Sequence, residues 1–139
     1  MVEGPGNVRS ITGTNPAVGV EVSETVPTGA RWRLVAAIFN FTTSAVVANR
    51  FPRLVLDDGT TTFFQSDPPA AQTATTTRGY VVGSGVDRAG VVLAIPQWTG
   101  LIGFVLMSGW KISTVTSGLD AGDNWDAPQL VVEEWLDSN

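Results

Sequence analysis

The chain has 139 residues, the size of one ordinary domain, and its 13 acidic and 8 basic residues leave a net charge of −5. That balance, with no clustered basic patch, speaks against direct nucleic-acid binding. The absence of cysteine and histidine removes disulfides, thiolate chemistry, the usual general base and the usual metal ligand. Charged residues make up 15%, below the usual quarter or so, so some surface is expected to press against a partner instead of water.

The start of the chain, MVEGPGNVRS, lacks the basic and apolar regions of a signal peptide. The longest apolar run, 101–107, is too short to span a membrane. Residues 1–16 carry Gly4, Pro5, Gly6, Gly13 and Pro16 and read as an extended N-terminal arm. Residues 17–139 then read as a single β domain. Val18, Val20 and Val22 alternate with Gly19, Glu21 and Ser23, the pattern of a half-buried strand. A turn at Pro27-Thr28-Gly29 leads into a long apolar strand over 32–41. On it Trp32, Leu34, Ala36 and Ile38 are expected on one face, with Val35, Ala37, Phe39 and Phe41 on the other.

Strand 51–56 and its return 60–65 are joined by Asp57-Asp58-Gly59, a hairpin signal. Phe63 and Phe64 point to opposite faces, so one of them is expected to need a partner outside the core. Residues 70–74 could hold a turn of helix; nothing else has a helical period. Strands are further expected over 72–82, 91–95, 101–107, 110–116 and 129–136, with a flexible loop over 83–90. About nine strands at this spacing predict an all-β antiparallel sandwich, most simply a jelly roll.

Candidate chemistry is sparse. Lys111 and Ser113 make no convincing dyad. Glu133 and Glu134 lie on opposite faces of one strand and cannot flank a single bond. No catalytic residue and no cofactor is expected. The loop LDAGDNWD, 119–126, offers Asp120, Asp123 and Asp126 as weak metal ligands, but its spacing is not that of a helix–loop–helix calcium loop. Turn formation by Asp120 and Asp123 around Gly122 is the simpler expectation. Trp32, Trp110 and Trp135 are expected in the core. Trp98 and Trp125 sit in apparent loops beside Gln97 and Asn124, as in a protein interface or a sugar platform. With Phe63, Phe64, Arg50 and Arg53 they complete the interface candidates; for Arg50 and Arg53 the alternatives are an acidic neighbour or an ion pair within the sheet.

The pieces PTGARWRLVAAIFNFTTSAVVANRFPRLVLDDG, AAQTATTTRGY and SGWKISTVTSGLDAGDNWDAPQLVVEEWLD, just over half of the chain, resemble a group of small virion proteins of tailed bacteriophages. The shared features are the Pro-x-Gly turn into an aromatic strand, Val-Ala-Asn-Arg before a strand ending Asp-Asp-Gly, and an Ala-Gly-Asp loop before a valine-rich strand ending in acids. The resemblance implies a structural, non-enzymatic role: a capsid decoration (cement) protein, homotrimeric and bound to the major capsid protein. It would be made in the host cytoplasm and end on the outer capsid surface, away from nucleic acid and membrane. A connector, tail or fibre component, and a carbohydrate-binding module, are the alternatives.

Overall fold

The computed structural model describes residues 4–83, 96, 98 and 103–137. Among the described residues ten strands appear in chain order: β1 Asn7–Thr12, β2 Ser23–Thr25, β3 Ala30–Thr42, β4 Phe51–Asp57, β5 Thr62–Ser66, β6 Thr77–Gly83, β7 Val105–Leu106, β8 Lys111–Ser117, β9 Asn124–Trp125 and β10 Gln129–Leu136. No helix occurs among the described residues, 70–74 included. The strands expected at 91–95 and at the start of 101–107, and the loop at 84–90, lie outside the described residues.

The strands form two antiparallel sheets. The first runs β1-β10-β3-β6; short β9 continues beside β10 along β3, and short β7 continues beside β6. The second runs β2-β8-β4-β5. One core lies between them, with Trp32, Leu34, Phe39, Phe41, Leu130 and Val132 from the first sheet and Leu54, Leu56 and Ile112 from the second.

The central strand β3 departs from the two-face reading. Leu34 lies opposite Val132 and Ala36 opposite Val131, so Val35 is an extra residue in the ladder. One inserted residue reverses the phase of everything after it. Ala30, Trp32 and Leu34 are buried before this bulge, and Ala37, Phe39 and Phe41 after it. The two expected faces therefore merge into one core face, and Ala36 and Ile38 turn outward.

Two other expectations are corrected. Residues 18–19 form a turn, not a strand. Gly19 has φ +79°, and a Cβ there would lie 2.9 Å from the Ala121 carbonyl oxygen, so the close approach of loop 119–126 requires glycine. The alternation of valines is accidental: Val18 and Val20 are exposed and only Val22 is buried. The segment expected as an extended arm over 1–16 is extended but joins the first sheet, where residues 7–12 pair with β10 from Asn7↔Glu134 to Thr12↔Gln129. Gly6 N–H donates to Glu133, and the Trp135 indole donates to Gly4 O, extending the attachment.

Candidate functional site

Loop 119–126 and the connection 43–50 meet at the end of the core. Arg50 and Asp123 have fully buried side chains. Arg50 Nε donates to Asp123 Oδ2 at 3.0 Å and Nη2 to Oδ1 at 3.1 Å, a two-point pairing that suits a guanidinium. The remaining Arg50 donors reach Val46 O at 2.8 Å, Ala48 O at 2.7 Å and Ser44 Oγ at 3.1 Å. Asp123 also accepts from the backbone N–H of Ser44 and of Asp120, both at 2.8 Å. Asp120 accepts from Ser44 Oγ at 2.8 Å and from Gly122 N–H at 2.9 Å. The charges thus hold two connections together.

The titration of these groups follows from the contacts. Burial pushes the Asp123 carboxyl up, but the bonds from Arg50 and the two backbone amides outweigh it and hold it below the ordinary 3.8. The Gly122 amide and the Ser44 hydroxyl lower Asp120 likewise. Asp126 is exposed. Among the described residues no group of three or more His, Cys, Asp or Glu is placed to hold a metal ion. Asp120, Asp123 and Asp126 are dispersed over different contacts: a hydroxyl, a guanidinium and solvent.

A second carboxylate network closes the adjoining wall. Glu21 accepts from Thr114 Oγ1 at 2.6 Å, from Thr116 Oγ1 at 3.1 Å and from the Trp125 indole at 3.1 Å. Towards the other end of β3, Glu134, facing inward from β10, accepts from the Trp32 indole at 2.7 Å and from Arg9 at 2.6 Å. Burial raises the Glu134 carboxyl, but the bonds from Trp32 and Arg9 outweigh it and leave it lowered. Glu133 faces the other way and pairs with Arg33, so the opposite-face reading of the two glutamates holds.

Trp32 lies in the core and Trp110 packs against it, as expected, but Trp98, Trp125 and Trp135 exchange their expected places. Trp98 is 2% and Trp125 0% exposed. Trp125 stacks on Phe41 with centroids 4.3 Å apart, brought there by the β3–β9 register Phe41↔Trp125. Trp98 stacks on Tyr80 at 5.1 Å and donates its indole N–H to Pro52 O. Both are withdrawn as interface candidates, because a ring closed into the core meets no partner. Trp135, expected in the core, lies on the outer face against Arg33. The buried Arg50 is likewise withdrawn. Phe63 is half-exposed, but it finds partners within the chain: it sits at an irregularity between β4 and β5 and packs on Trp110 and Phe104, centroids 5.1 and 5.7 Å away. Phe64 packs against Phe104 and the core. Arg53 remains at the surface, 3.3 Å from Asp67.

Tyr80, the only tyrosine, donates to Gln72 Oε1 at 2.9 Å beneath these rings. Burial pushes its phenol up to about 12, against a partial lowering by Arg78. The neutral phenol is the favoured folded form, so its contribution to stability is complete below the ordinary value of 10.0 and lost as pH rises towards about 12. A spectrophotometric titration of the native protein should show no tyrosinate near pH 10; a midpoint there would mean that Tyr80 is open to solvent.

With Arg50, Asp123, Glu21 and Glu134 engaged internally, the exposed apolar side chains lie outside the core. On the outer face of the second sheet, exposed Phe51 and Val115 are diagonal neighbours, beside Arg53 and Ser117. Val46 and Val47 are exposed just before this strand. Across the first sheet runs an apolar groove of about 420 Å³, lined by Ser10, Ala36, Ile38, Val81, Gly83 and Val131 among others. The search for relatives found no matching family model, curated protein or solved structure.

Proposed function

We propose that this protein is a non-catalytic β-sandwich of the jelly-roll type that serves as a capsid decoration protein of a tailed bacteriophage. The strand order carries the fold reading. With β7 and β9 taken as extensions of their neighbours, the eight main strands, renumbered in chain order, run 1-8-3-6 and 2-7-4-5. That is the order of two interleaved Greek keys, an architecture common in viral shells. The functional reading rests on one observation: the inward ionisable groups are engaged in holding loops and strands together, while exposed apolar side chains lie on an outer sheet face. The resemblance over PTGARWRL to LVVEEWLD supplies the particle.

In this reading the protein forms a homotrimer and meets the major capsid protein through the Phe51, Arg53 and Val115 face. Binding only the assembled shell stabilises that shell by mass action, and the net charge of −5 helps keep unbound copies soluble. The carbohydrate reading loses its support, since Trp98 and Trp125 cannot present a sugar platform from inside the core. Quantitative mass spectrometry of purified particles separates decoration from a connector or fibre role. A decoration protein scales with the capsid subunits; a connector or fibre protein is fixed at a few copies by the tail axis.

A further inference from the structure

The four outer edges of the two sheets differ in how they are protected. Strand β2 has only three residues. Strand β5 has an irregular register and ends beside Asp67 and Pro68. Strand β6 is engaged on its outer side, where Val81 bonds to Pro96 O and Trp98 N–H. Strand β1 has six residues in unbroken register, with no proline and no bulge. Its single charged side chain, Arg9, is turned to Glu134 on the inner face. Natural sheets usually blunt such an edge with charge, proline, a bulge or shortness.

The phase of this edge can be read from one bond. Gly13 N–H donates to Pro128 O at 2.7 Å, so the odd-numbered residues of β1 carry the bonds to β10. The N–H and C=O groups of Val8, Ser10 and Thr12 therefore point away from the sheet, and no described residue pairs with them. Val8 is 70% exposed.

We propose that β1 pairs antiparallel with β1 of a second copy about a two-fold axis at Ser10. In that register Ser10 faces its own equivalent, Val8 faces Thr12 of the other copy, and Arg9 faces Ile11. Each is a hydrogen-bonded or intervening pair in its proper place, giving about six new backbone bonds. No like charges stand directly opposite, the two Arg9 side chains are diagonal neighbours each held to its own Glu134, and a serine at the axis leaves room for its equivalent. The apolar groove reaches Ser10, so pairing joins the two grooves into one. The second copy is favoured over a foreign strand because this edge is complementary to itself. The inference is independent of the virion reading; with trimers as proposed above, it would link them in pairs.

The test is the mass in solution by light scattering over a concentration series, for the native chain, Ser10→Lys and Val8→Pro. Ser10→Lys sets two lysines against each other at the axis. Val8→Pro deletes an N–H that has no partner among the described residues. The expected result is an even number of copies that falls to half in both variants, with melting temperatures unchanged. Should one variant unfold, Ser10→Cys gives the chain its only thiol, and a nitroxide there should show strong dipolar broadening across the axis. An odd number of copies, an unchanged mass in folded variants, or a label without broadening overturns the proposal. A trimer that never pairs would overturn it while leaving the decoration reading intact, and binding of this edge only to another protein's strand would overturn it too.

Discussion

Asp123→Ala is expected to destabilise the protein by about 3–5 kcal/mol, the cost of leaving a buried cation without its counter-charge. Arg50 would lose two of its five bonds while staying inside, and the Ser44 and Asp120 amides would lose their acceptor. For a domain whose whole stability is about 5–15 kcal/mol, that is most of the margin or all of it. Asp126→Ala, three residues on and exposed, should change stability by no more than about 0.5 kcal/mol. Urea unfolding of the two variants checks the contrast, and the curves should superimpose with and without a calcium chelator. Equal, small effects would mean that the pair is not buried as described. The sign of the pH dependence follows. Because the Asp123 carboxyl is lowered in the folded state, its contribution is complete above the ordinary 3.8 and is lost as pH falls below that value.

Trp125→Ala should cost about 3–5 kcal/mol, the range for removing a large aromatic from a core. The ring is 0% exposed, stacks on Phe41 and anchors Glu21, which in turn binds Thr114 and Thr116 on the second sheet. Its loss opens a cavity and frees a partly buried carboxylate at one point. Circular dichroism melting should show a large drop in Tm or no cooperative transition. A variant that melts as the native chain does but loses a ligand would instead restore the surface role.

The sequence made the all-β class legible, because alternating apolar residues and turn signals such as Asp57-Asp58-Gly59 need no tertiary information. The Asp58 side chain does cap the turn, accepting from Thr60 and Thr61 amides. What stayed hidden depended on register. The Val35 bulge leaves no mark in a continuous apolar run, so the faces of β3 were divided where the fold unites them. Trp125 looked like a loop residue because β9 has only two residues, too short for any periodicity. Asp120, Asp123 and Arg50 were each noticed, but their union is not legible at a separation of some seventy residues along the chain. A signal was available in composition: an arginine between apolar segments needs an acid when buried, and 119–126 held three aspartates with no Lys or Arg among them.

The central claim is that the chain serves a particle through its outer surfaces. Its copy number relative to the major capsid protein, measured in purified virions, tests this most directly. A count that rises with the number of capsid subunits is the predicted result. A small count fixed by the tail axis, or absence from the particle, would contradict it.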